Sequence, residues 1–249
     1  MKLIHKFKSL NFDKRVNKKI SYIILHYTAL PTIDDSLNFL CKTENKVSCH
    51  YIISQNGIIY NLVNEKNRAW HAGQSNWLAE KDFNSASIGI ELDFSPNHNN
   101  NKFSKLLMSS LIVLTQRLIK KYKINKKNIL GHSDIAPYRK IDPGKHFPWK
   151  KLYQLNLAYY PKTKNILKLK KIRIWFKKNK IYSNEQKILI MLNIIGYDIS
   201  KAINNKYYYR ILLKSYRNHF FQKDNLKNSN LKLINVIELH FYNLLLTKV

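Results

Sequence analysis

Three side chains stand where metal chemistry could be done. His26 closes the apolar run Ser21–His26. His132 follows Gly131 at the end of a second short apolar run, and Asp142 lies ten residues further on, in a loop pinned by Pro137, Pro143 and Pro148. Two imidazoles and one carboxylate make a suitable ligand set for catalytic Zn²⁺, because three protein ligands leave the fourth tetrahedral position to water. The spacing alone leaves a second reading open, in which the strand-end histidines are hydrogen-bonded structural residues.

Positioning such a set requires strands that bring distant residues to one edge. Ser21–His26 reads as a buried strand, and Tyr51–Ile53 and Ile58–Val63 flank Asn56-Gly57, a hairpin signal because both turn residues tolerate positive φ. Ser87–Phe94 and Asn128–Gly131 read as further strands, the latter running into a loop over His132–Trp149. Thr32 caps a helix carrying Leu37, Leu40 and Cys41. Phe103–Tyr122 is the clearest helix, with Leu107, Leu111, Leu114 and Leu118 in one stripe. Strands alternating with helices predict an α/β domain, a mixed central sheet flanked by helices, over residues 1–160. Residues 161–180 read as a basic linker. Residues 181–249 read as a small helical domain, with helices over Glu185–Leu192, Tyr207–Phe220 and Leu231–Leu246.

Composition bounds the partners. The chain has 249 residues, 45% apolar and 12% aromatic, so a core can form. Lys and Arg number 44 against 15 Asp and Glu, a net charge of +29. That charge suits polyanions, but it is spread along the chain together with abundant Asn, Ile and Tyr. It therefore reads as a base-composition bias, and no specific nucleic-acid partner is expected. Cys41 and Cys49 are too few for a disulfide framework and read as free thiols. Met1–Ile20 lacks the apolar run of a signal peptide and a lipid-attachment cysteine. No segment offers about 18 uninterrupted apolar residues. The expectation is a monomer without a membrane span, cytoplasmic by default, with the cell envelope as the alternative.

Several strings then narrow the reading. His26-Tyr27-Thr28-Ala29, Val47–Tyr51 followed by Gly57, Ala69-Trp70-His71-Ala72-Gly73, Ser87–Leu92, and Gly131–Pro137 continuing through Arg139-Lys140, Asp142-Pro143-Gly144 and Phe147-Pro148-Trp149 occur in this order. Together they resemble the type 2 N-acetylmuramoyl-L-alanine amidases over about residues 20–155. The resemblance implies His26, His132 and Asp142 as zinc ligands, Glu91 as the acid/base residue and Lys140 as stabiliser of the developing oxyanion. It also implies peptidoglycan or a muropeptide as substrate, cut between N-acetylmuramic acid and L-alanine. Tyr27, Trp70 and His71 are candidate substrate-binding residues, His71 equally readable as a packing partner of Trp70, and His50 reads as structural. A catalytically silent peptidoglycan-binding protein of the same fold is the alternative function.

The text beyond residue 181 resembles a peptidoglycan-binding three-helix module, as in the outer-membrane members of the family. Ser215–Phe221 is similar to its central helix. The Asn- and Lys-rich stretch Asp224–Asn228 departs from that pattern. Because every candidate catalytic residue precedes residue 143, the module is expected to be detachable from the chemistry.

Overall fold

The computed structural model describes residues 2–16, 18–97, 102–161, 169–222 and 233–245. In chain order the elements are β1 (Leu3–Ile4), β2 (Phe12–Lys14), β3 (Tyr22–Tyr27), α1 (Ile33–Cys41), β4 (Tyr51–Ile53), β5 (Ile59–Asn61), β6 (Asn67–Ala69), α2 (Phe83–Ala86) and β7 (Ser87–Leu92). They continue with α3 (Lys105–Tyr122), β8 (Ile129–Gly131), α4 (His132–Ile135), α5 (Trp149–Gln154), α6 (Leu169–Lys178), α7 (Asn184–Ile195), α8 (Lys206–Phe220) and α9 (Leu233–Leu245).

Six strands form one mostly parallel sheet in the order β1-β5-β4-β7-β3-β8, and β2 pairs with β6 in a second, two-stranded sheet. Both neighbours of β3 run parallel to it, and among the described residues of this sheet only the β4–β5 pair is antiparallel, joined through the Asn56-Gly57 turn with Gly57 at φ +81°. The central strands read as nearly continuous apolar text because both faces of the sheet are covered. Ile23, Leu25, Ile88, Ile90 and Ile129 point to the face covered by α3, where Leu107, Leu111, Leu114 and Leu118 are fully buried. Each such leucine stabilises the fold by about 1.5–3 kcal/mol through burial. Ser104 caps α3 by accepting from the Leu107 amide at 3.0 Å.

On the opposite face, Ile24, Leu130, Ile135 and Trp77 pack in one cluster with Ile172, Phe176, Met191, Leu192, Leu212 and Tyr216. The core is therefore continuous across residue 160. The expected basic linker 161–180 needs correcting where it is described: from Leu169 it is helical. Leu169, Ile172 and Phe176 recur at helical spacing and are buried, while the lysines between them take the outer face. The His132–Trp149 loop likewise opens with the short helix α4. The expected helices over 185–192, 207–220 and 231–246 are present as α7, α8 and α9, with residues 231, 232 and 246 outside the described range, as is the Asp224–Asn228 stretch. Cys41 and Cys49 are free. Among the described residues no helix is long and apolar enough to cross a membrane.

Candidate metal centre and active site

Parallel pairing assembles the site at the C-terminal edge of three adjacent strands. Register places His26 of β3 opposite Glu91 of β7. It places Leu25 opposite Gly131 of β8, so the chain enters α4 with His132 beside His26. Ligands of open α/β sheets gather outside this edge of the strands. The turn that follows α4 returns Asp142, whose backbone carbonyl accepts from the Ser133 amide at 2.9 Å.

His26 Nδ1 and His132 Nδ1 lie 3.0 Å apart, and Asp142 Oδ2 lies 3.1 Å from each. All three residues are buried. This near-equilateral triangle is slightly tighter than the roughly 3.3 Å edge of a tetrahedral Zn²⁺ shell with bonds of 2.0–2.1 Å. The hydrogen-bond partners of the outward nitrogens explain why both Nδ1 atoms are free to ligate. His132 Nε2 sits 3.0 Å from the Ala72 carbonyl, which only accepts, so Nε2 carries the proton. His26 Nε2 sits 3.1 Å from His71 Nδ1, and His71 Nε2 sits 3.2 Å from Ser87 Oγ, whose hydroxyl donates to the Phe83 carbonyl. Read as a relay of donors, His26 to His71 to Ser87 to backbone, this leaves a lone pair on His26 Nδ1. Partners of this kind orient metal-binding histidines and fix their tautomer.

The electrostatics agree. Burial, and next the neighbouring His132, push His26 down to about pKa 4, against the opposing pull of Asp142. Burial alone would raise the Asp142 carboxyl, but His132 and His26 outweigh it and hold Asp142 well below the usual carboxylate range. Two imidazole nitrogens and one carboxylate oxygen converge on one point, a donor set that suits a divalent cation.

Glu91 and Lys140 line the same cleft, a hollow of about 320 Å³ with Tyr27 and His71 also on its wall. Glu91 Oε2 is buried and has no hydrogen-bond partner. Burial, and then Asp142, raise its carboxyl to about pKa 8, with Lys140 opposing. Such a group can hold or release a proton near neutrality. Tyr27 packs against Gly144, whose added Cβ would sit 3.5 Å from the ring. Trp70 is not on the cleft wall: its indole donates to Asp13 of β2 at 2.7 Å, tying the two-stranded sheet to the Ala69–Gly73 segment.

That segment works through its neighbours. Asn84 Oδ1 accepts from the His71 and Ala72 amides at 3.0 and 2.7 Å, presenting the His71 ring to one histidine and the Ala72 carbonyl to the other. Arg139 donates to the same carbonyl at 2.7 Å. Sequence reasoning missed Asn84 and Ser87 because their partners are distant in sequence. The signal that could have found them is that Asp82 and Ser85 mark a capped turn feeding directly into the Glu91 strand.

Comparison with known proteins covers most of the chain. The model of the family described as N-acetylmuramoyl-L-alanine amidase matches residues 16–145. The 1,6-anhydro-N-acetylmuramyl-L-alanine amidase AmpD of Haemophilus influenzae is 40% identical over 162 residues, covering 57% of this chain and 86% of that protein. The N-acetylmuramoyl-L-alanine amidase AmiD of Escherichia coli is 36% identical over 167 residues, 59% of this chain and 57% of that one. The solved complex of that amidase with anhydro-N-acetylmuramic acid-L-Ala-D-gamma-Glu-L-Lys is similar in fold, with a TM-score of 0.72 at 28% identity over 92% of this chain and 89% of that chain.

Proposed function

The chain belongs to the N-acetylmuramoyl-L-alanine amidase family, and from that premise we propose that it hydrolyses the amide between N-acetylmuramic acid and L-alanine in peptidoglycan or its soluble fragments, with zinc held by His26, His132 and Asp142. The observation that carries this reading is the convergence of His26 Nδ1, His132 Nδ1 and Asp142 Oδ2 within 3.1 Å of one another, on a cleft that also holds Glu91, whose buried Oε2 has no hydrogen-bond partner. Zinc in such a shell supplies an acidified water and polarises a carbonyl.

The chain's own residues supply the rest. Glu91 accepts the water's proton and returns it to the leaving amine, a role that needs a group able to change charge near neutral pH. Lys140, two residues from Asp142, places a fixed positive charge on the cleft wall where the scissile oxygen becomes negative. Tyr27 bounds the opening. Burial of the ligands keeps bulk water from competing for them. In this reading residues 1–160 carry the chemistry, and those from 181 onward form a helical unit similar to peptidoglycan-binding modules.

The test is mass spectrometry of a soluble muropeptide incubated with zinc-loaded protein. Release of intact stem peptide and free N-acetylmuramic acid product is expected, abolished by chelator and restored by zinc. His26→Ala and His132→Ala are expected to lose both metal and turnover. Full turnover by either variant in chelator would overturn the assignment, and wild type that binds both zinc and muropeptide without cleaving it would identify a binding protein instead.

A further inference from the structure

Asp134 is fully buried, and its carboxylate takes three hydrogen bonds from three parts of the chain. The Gly131 amide donates to Oδ2 at 2.7 Å, closing the turn from which His132 projects. The other two donors come from beyond residue 160. Tyr197, just after α7, donates its hydroxyl to Oδ1 at 2.6 Å, and His219 of α8 places Nδ1 2.7 Å from Oδ2.

Each of these donors is itself held. The His219 ring stacks on Trp149 with centroids 3.6 Å apart and on Phe220 at 3.7 Å. Tyr197 packs edge-on to Trp77 at 4.8 Å, and the Leu78 amide donates to the Gly196 carbonyl at 2.9 Å. Gly196 has φ +141° and leaves no room for a Cβ, which would sit 2.4 Å from the Trp77 ring. Gln222, after α8, donates to the Phe147 carbonyl at 2.7 Å and the Lys145 carbonyl at 3.0 Å, gripping the same loop that bears Asp142.

We propose that Tyr197 and His219 are positioning residues for the metal centre: the helices beyond residue 160 hold Asp134, and through Asp134 the Gly131–His132 turn, in the geometry that aims His132 Nδ1 at His26 and Asp142. The physical argument is one of unsatisfied charge. A buried carboxylate that keeps one donor of three turns toward new partners, and that turn loosens its bond to the Gly131 amide. His132 sits one residue from that amide, and a ligand set tolerates little displacement. The helical unit would then be a working part of the catalytic body, whatever it also does toward polymer. This inference rests on the metal-site reading above.

The experiment uses the full chain and three substitutions. Tyr197→Phe removes only a hydroxyl. His219→Phe keeps the stacking and removes the N–H. His219→Asn returns an N–H near the Nδ1 position. Zinc affinity is read by competition with a chromogenic chelator, kcat and KM on a soluble muropeptide, and hydrogen exchange at the Gly131 amide on metal-free protein. The double Tyr197→Phe/His219→Phe variant is expected to bind zinc about 10–100-fold more weakly. Its kcat should fall and its KM stay within about twofold, and the Gly131 amide should exchange faster while amides of β7 are unchanged. His219→Asn is expected to recover most of the affinity. If the double variant does not fold, Tyr197→Phe alone decides, with several-fold weaker zinc expected. Folded variants with wild-type zinc affinity, kcat and Gly131 exchange would overturn the proposal. Wild type that binds zinc without cleaving muropeptide would defeat only the amidase reading, since affinity and exchange still decide this one. Should the wild type hold no zinc, the exchange rate at Gly131 decides it.

Discussion

A single methyl group added at Gly89 tests the donor relay behind His26. Gly89 sits in β7 two residues before Glu91, in ordinary extended backbone, so alanine there carries no conformational penalty. The obstacle is steric: an added Cβ would lie 2.4 Å from His71 Cγ, 2.6 Å from Cδ2 and 2.7 Å from Nδ1. Carbon atoms in contact prefer about 3.5–4.0 Å, so the ring must retreat by roughly 1 Å. It has no free direction, because Ser87 Oγ lies 3.2 Å from Nε2 and Asn84 holds the His71 amide at 3.0 Å. A retreat of that size takes the 3.1 Å contact with His26 Nε2 past the limit of about 3.5 Å for a hydrogen bond. Overpacking is expected to cost about 1–3 kcal/mol of stability. Loss of the partner that orients His26 is expected to weaken zinc about 10–100-fold, equivalent to about 1.4–2.7 kcal/mol. Chelator competition on Gly89→Ala, His71→Ala and the double variant measures it, with thermal melts of the metal-free proteins alongside. The double variant should bind zinc like His71→Ala alone, because the methyl acts only through the ring it displaces. Gly89→Ala with wild-type zinc affinity, or with an undiminished effect in the His71→Ala background, would refute the relay.

Glu91→Gln should leave zinc in place and slow turnover by about 10²–10⁴-fold, measured by single-turnover hydrolysis. In metal-free protein the same variant should be the more stable one above neutrality. The wild-type carboxyl titrates near pH 4.5 unfolded and near pH 8 folded, so folding takes up a proton between those values and wild-type stability falls as pH rises through them. The gap between the two melting curves should therefore widen from pH 5 to pH 8 and then level off. Glu65 behaves oppositely: burial raises its carboxyl, but Lys121, Tyr122, Tyr51 and Arg117 outweigh it and bring it down to about pKa 2. Its contribution should be complete above about pH 4.5 and fade toward pH 2, and Glu65→Gln should cost about 2–4 kcal/mol at pH 7 by denaturant titration. Truncation after Tyr160 should abolish cooperative melting, because Trp77, Ile135 and Leu130 lose the partners that bury them; a truncated chain that melts cooperatively and cleaves muropeptide would refute the continuous core.

The parts legible in the sequence were those written locally. The α3 stripe, the Asn56-Gly57 turn and the apolar strands each announce themselves within a few residues, and the ordered strings around His26, Glu91, His132 and Asp142 mark where chemistry gathers. The parts that stayed hidden depend on pairing across long separations. Strand β6 is Asn67-Arg68-Ala69, text with no strand preference, and it exists because β2 pairs with it from 55 residues away, with Asp13 opposite Arg68. Helix α6 was concealed by its lysines, which obscure three buried positions. Trp70 reads as a cleft aromatic because it adjoins His71, yet its indole is turned to Asp13 of β2 while the His71 ring lines the cleft and meets His26. The boundary expected near residue 160 shows the same limit from the energetic side. A change in composition marks where the text becomes basic, but composition reports the outer face of each helix. The inner face, which carries Tyr197 and His219 to Asp134, is decided by partners 63 and 85 residues distant. A chain whose Asp134 is held from that far away joins two stretches of unlike composition into one structural body, because the donors that complete a buried carboxylate cannot be removed without leaving it unsatisfied.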